Sequence, residues 1–134
     1  MPSYETPGSE PGTAERRESE LVSRFRTHLA SQGHSVKRWS LRPPGELLPL
    51  LTDDYDETTQ ELYEAKGTAV RNSIRLAIGQ LLDYKRHIDV PELRLTLLLP
   101  ARPTDDLLNL ISSVGMGCVY EDGVGIFNRV EQRA

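Results

Sequence analysis

The stretch Leu62-Tyr63-Glu64-Ala65-Lys66-Gly67 decides how the rest of the chain is read. A strand's period of two puts Glu64 and Lys66 on one face and Tyr63 and Ala65 on the other, so a carboxylate and an ammonium look the same way. Gly67-Thr68 ends the strand, which the pattern places at Glu61 to Lys66. Working backward, Asp56-Glu57-Thr58-Thr59-Gln60 has the composition of a turn, and about Leu47 to Tyr55 is a second extended arm ending in Asp53, Asp54 and Asp56. With Thr58-Thr59 as the tip, Gln60 pairs with Glu57, and counting outward sets Glu64 across from Asp53. Opposed residues share a face with Cβ atoms about 4.5–5.5 Å apart. A three-residue tip would bring Asp56 opposite Glu64 instead, so Asp53 ranks first, Asp56 second and Asp54 third.

Two facing carboxylates repel, and a hard cation shared between them relieves the repulsion. Mg²⁺, or Mn²⁺ in its place, suits oxygen ligands and keeps several waters. Asp53 and Glu64 are the candidate metal ligands, with the backbone carbonyl of Ala65 as a further one. Lys66 would stand beside the ion, where it can orient a water or neutralise charge on a phosphate. A Glu-x-Lys pair on a strand also occurs often by chance as solvated surface charge.

Forward of Gly67, the residues Val70, Ile74, Ala77, Ile78, Leu81 and Leu82 recur at helical spacing and predict a helix to about His87. Gln80 and Tyr84 fall on one border of that stripe, from which a side chain can reach the rim of a sheet. Arg71 and Arg75 fall on the other border, as a DNA-backbone surface or plain solvated charge. Leu93 to Leu99, ended by Pro100, predicts a strand covered on both faces and central in the sheet. Thr104 caps a helix through Leu107, Leu108, Leu110 and Ile111, broken at Gly115 and Gly117. Two short strands, Cys118 to Tyr120 and Val124 to Phe127, flank a turn at Glu121-Asp122-Gly123.

At the other end, residues 1–13 are rich in Pro, Gly, Ser and Glu and predict a disordered tail. From Ala14, the spacing of Leu21, Val22, Phe25 and Leu29 predicts a first helix stopped by Gly33, with Glu20 near its start. Val36 to Leu41 alternates as a strand, closed by Arg42-Pro43-Pro44-Gly45. The order is α-β-β-β-α-β-α-β-β, an α/β fold with a central mixed β-sheet flanked by helices.

The totals bound what this fold can be. A chain of 134 residues makes one domain, here 14–134, and its single cysteine, Cys118, excludes an internal disulfide and a Cys-rich zinc site. That cysteine usage, with no leader and no membrane-length apolar run, predicts a cytoplasmic protein. A net charge of −4 argues against electrostatic coating of nucleic acid. His28, His34 and His87 have no ligand spacing, so zinc sites and nucleophilic triads lack support.

Asp53 followed after a hairpin by Glu64-Ala65-Lys66, and then by Gln80-Leu81-Leu82-Asp83-Tyr84, resembles the PD-(D/E)xK nuclease superfamily with the QxxxY motif of its RecB-like branch. The match runs from about Glu20 to Leu99, and Thr52 stands where the motif has proline. The resemblance implies a restriction-endonuclease-like fold and a Mg-dependent deoxyribonuclease of a restriction or defence type. Asp53, Glu64, Lys66, Gln80 and Tyr84 would be its catalytic residues and Glu20 a helper for the metal. With no recognition module in the chain, specificity for DNA would come from a homodimer or a separate recognition subunit. Two rivals remain: a non-catalytic nucleic-acid-binding or protein-interaction module that keeps the nuclease fold, and an unrelated structural protein in which Asp53, Glu64 and Lys66 point apart.

Overall fold

A computed structural model describes residues 12–130. The expected tail therefore lies outside the described residues except for Gly12 and Thr13, and Thr13 already begins the first helix. The elements run α1 (Thr13–Ser31), β1 (Val36–Leu41), β2 (Leu50–Asp56), β3 (Glu61–Ala65), α2 (Arg71–Lys85), β4 (Arg94–Leu99), α3 (Asp105–Ser113), β5 (Gly117–Glu121) and β6 (Phe127–Val130). They build an α/β fold around one open six-stranded sheet whose strands lie side by side in chain order. β1, β2 and β3 are antiparallel; β3, β4 and β5 are parallel, joined by α2 and α3; β6 returns antiparallel. β4 is central, as its near-continuous apolar run requires, because both of its faces are covered.

Each face has its own core. Ile74, Ala77, Ile78 and Leu81 of α2 and Leu107 and Ile111 of α3 pack on Tyr55, Leu62, Leu95, Leu97 and Leu99. On the other face Leu21, Phe25 and Leu29 of α1 pack on Tyr63, Ala65, Leu98 and Val119. Burying each such side chain contributes about 1.5–3 kcal/mol, and the Arg24–Glu121 and Arg26–Asp54 ion pairs add to the anchoring of α1. Thr104 caps α3, its hydroxyl accepting the Leu107 N–H at 3.4 Å.

Two boundaries and part of one helical stripe differ from expectation. β2 starts at Leu50 because Leu47 and Leu48 ride in an exposed loop that Pro43, Pro44 and Pro49 deprive of ladder donors. The last strand is Phe127–Val130 and not Val124 to Phe127. Gly123 and Gly125, both left-handed, lengthen the turn, which Asp122 N–H closes onto Ile126 C=O at 2.7 Å. Val70 and Leu82, placed on the apolar stripe of the α2 helix, are exposed. No helix among the described residues is long and apolar enough to cross a membrane.

Candidate active site

The β2–β3 hairpin has the register expected of a Thr58-Thr59 tip: Asp56 pairs with Glu61 and Tyr55 with Leu62. Pairing then stops. Continued, it would set Asp53 against Glu64, but the strands part there and the Asp53 side chain takes over, its Oδ2 accepting the Ala65 N–H at 2.9 Å. Lys66 N–H turns the other way, to Leu98 C=O on β4 at 3.1 Å. A strand residue directs its N–H and C=O to the same side, so the Ala65 carbonyl faces the Asp53 side of β3.

The other two candidate aspartates are committed elsewhere. Asp54 is buried and holds Arg26 of α1 in a two-pronged ion pair, with contacts of 2.7 and 3.2 Å. Asp56 binds His34 Nδ1 at 2.5 Å and accepts the N–H groups of Thr58 and Thr59. Asp53 alone stands at the site.

Glu64 and Lys66, 4% and 8% exposed, share a face as strand parity requires, and Lys66 Nζ lies 3.4 Å from Glu64 Oε2. Burial first, and the Asp53 charge second, push the Glu64 carboxyl up to about 8, against the opposing pull of Lys66. Tyr84 reaches this cluster from α2. Burial, then the charges of Glu64 and Asp53, push its phenol up to about 12, while a hydrogen bond from Gln80 works in the other direction. Tyr84 thus lies within reach of the charges of the acidic pair, and Gln80 lies against Tyr84. Glu64 Oε1 and Gln80 Oε1 are both buried with no hydrogen-bond partner among the described residues.

The glutamate that α1 brings is Glu18, not Glu20. Burial and the Asp53 charge raise the Glu18 carboxyl, with Lys66 opposing. Glu20 is exposed beside Arg24, whose partner is Glu121. The signal was in the spacing: Glu18, Leu21, Phe25 and Leu29 share one helical face, and Glu20 lies off it. α1 comes this close because of Gly67, where an added Cβ would lie 2.5 Å from Ala14 C=O, and Arg17 Nε donates to Gly67 C=O at 3.3 Å. Arg71 and Arg75 stay outside the cluster. Arg71 pairs with Asp106 of α3 at 2.5 Å and Arg75 is exposed.

A divalent cation fits this donor set in one specific respect: Glu64 presents a buried, unpartnered oxygen next to a second carboxylate that has no lysine or arginine ion pair among the described residues. Among those residues no three His, Cys, Asp or Glu side chains form a metal-binding group by themselves. The Ala65 carbonyl and water would have to complete the sphere, as suits Mg²⁺. Cys118 is buried, which pushes its thiol up to about 12 and disfavours the thiolate. No family model matches the chain, and neither a curated protein nor a solved structure shows significant similarity to it.

Proposed function

We propose that this protein is a metal-dependent nuclease hydrolysing phosphodiester bonds, with DNA as substrate, and that its site is of the PD-(D/E)xK kind on a restriction-endonuclease-like fold. The observation that carries this reading is the convergence of Asp53, Glu64 and Lys66 where the β2–β3 ladder opens, with one Glu64 oxygen buried and unpartnered. Asp53, Glu64 and the Ala65 carbonyl would hold Mg²⁺ or Mn²⁺, with Glu18 at the margin. Bound there, the ion would polarise the scissile phosphate and lower the pKa of water. Lys66 would hydrogen-bond the attacking water and offset negative charge growing on the phosphate, an interaction strengthened by its burial. Gln80 and Tyr84 would orient Lys66, the water or a phosphate oxygen. Sequence choice would come from a second copy of the chain or a separate recognition subunit.

The test is cleavage of single-stranded and duplex DNA, and of RNA, with Mg²⁺ or Mn²⁺ and with EDTA. Lys66→Ala is expected to lower the rate by about a hundredfold or more. Wild type and Lys66→Ala equally inert on every substrate would sink the proposal. One observation favours a non-catalytic module instead: Glu64 and Lys66 already pair with each other and are almost fully buried. Raised thermal stability with Mg²⁺ and no cleavage would point to that alternative.

A further inference from the structure

At the far end of β3 and on its other face lies a second cluster, about 16 Å along the strand from Lys66 at the usual rise. Among the described residues a single helix, α1, covers that face, and a cleft of about 320 Å³ remains between α1, the hairpin tip and β6. Its floor is Glu61, 1% exposed, whose carboxylate accepts from Tyr63, Thr96 and two nitrogens of Arg129, the last at 2.8 and 3.0 Å. With both its oxygens engaged, Glu61 fixes Arg129 in place and leaves its outer side 43% exposed. Arg94 adds a second guanidinium, 53% exposed and 3.8 Å from Glu61, beyond hydrogen-bond range.

Two features narrow what this cleft can take. One wall is aromatic: Phe25 and Phe127 meet edge to face with centroids 5.0 Å apart, and His28 lies against both, 5.9 and 5.2 Å away. The arginines also border a neighbouring cleft of about 340 Å³, to which Lys85 contributes a third cation. Within the cleft itself Arg94 and Arg129 carry one more charge than the Glu61 carboxylate beneath them, and paired guanidiniums match phosphate geometry. A flat ring stacks on an aromatic wall whatever its hydrogen-bonding edge.

The geometry points to a second ligand site that takes a nucleoside monophosphate group, its phosphate between Arg94 and Arg129 and its base against Phe127 and His28. That group comes either as a free nucleotide or as the phosphorylated end of a nucleic-acid strand. The site shares no residue with the acidic cluster and stands whether or not that cluster cleaves DNA.

Calorimetric titration of the full chain with adenosine 5′-monophosphate, adenosine and inorganic phosphate tests it. The nucleotide binds more tightly than either part, and Arg94→Gln, at an exposed position that leaves the Glu61 to Arg129 pair intact, weakens it about tenfold or more. Lys66→Ala leaves this affinity unchanged, so failure here and failure of the nuclease reading are separable. A 5′-phosphorylated trinucleotide that binds as tightly shows that strand ends are accepted; its exclusion shows a free nucleotide as the ligand. The inference is overturned by no binding at millimolar nucleotide, by phosphate alone binding as tightly, or by undiminished binding to Arg94→Gln with an unchanged melting temperature.

Discussion

Asp53 Oδ2 stands 2.9 Å from the backbone N of Ala65, so the side chain of one strand satisfies the main chain of the next where their ladder has parted. The carboxylate has two jobs with different chemical requirements. Asp53→Asn keeps an oxygen acceptor for the buried Ala65 N–H but removes the charge, and Asp53→Ala removes both. Urea melts are expected to show a loss of about 1–3 kcal/mol for Asp53→Ala and within about 1 kcal/mol of wild type for Asp53→Asn. Both variants should lose metal-dependent cleavage. Equal destabilisation by the two would show that the hydrogen bond contributes nothing to the fold.

Gly67 sets how closely α1 approaches the site. A Cβ there would meet the Ala14 main chain at 2.5 Å, an approach that only a shift of the helix can relieve. Gly67→Ala is expected to cost about 1–3 kcal/mol and to displace Glu18, whose amide lies 3.5 Å from the same added atom. Gly79→Ala is the control. It adds a methyl to an exposed position of α2 with open space around it and should gain about 0.5–1 kcal/mol. Thermal melts of the two variants should move in opposite directions.

Most of this fold could be read from periodicity, because each element buries one face and the sheet runs in chain order. Strand parity alone placed Glu64 and Lys66 together. The hairpin register followed from the turn residues, yet the parting of the ladder at Asp53 did not, since no spacing rule says when a side chain will replace a backbone partner. That Asp54 and Asp56 are engaged elsewhere became visible only with Arg26 and His34, which lie 28 and 22 residues away in the chain. The Glu61 cluster was invisible for the same reason. Its partner Arg129 is 68 residues distant, on a strand whose start the glycines of the preceding turn had displaced.

The metal-free site should leave a mark on stability. Glu64 is raised from 4.5 to about 8 by burial and by Asp53. Below pH 4.5 the carboxyl is protonated in both folded and unfolded chains and costs nothing. Between 4.5 and about 8 the unfolded chain ionises first, so stability falls as pH rises, by at most about 1.4 kcal/mol per pH unit. Urea melts in EDTA from pH 5 to 8 should show that fall in wild type and a flatter profile in Glu64→Gln. Parallel profiles would mean that Glu64 is ionised throughout and that the site is more open to water than its 4% exposure implies.

Glu61 behaves in the opposite sense. Burial alone would raise its carboxyl, but the hydrogen bonds from Arg129, Thr96 and Tyr63 outweigh that and hold it below the usual carboxylate range. A depressed carboxylate contributes stability that is complete above its unfolded value of 4.5 and is lost as pH falls through the folded one. Arg129→Leu reverses the sign, because it leaves the buried Glu61 carboxylate without its hydrogen-bonded cation and with only Arg94, 3.8 Å away, beside it. The expected cost at pH 7 is about 3–5 kcal/mol, shrinking on acidification as Glu61 takes up a proton in the folded state. Restoring balance with Glu61→Gln in the Arg129→Leu background should recover most of that loss at neutral pH and little of it at pH 4. A double variant no more stable than Arg129→Leu alone would place the damage in lost packing around Tyr63 and not in an unpaired charge.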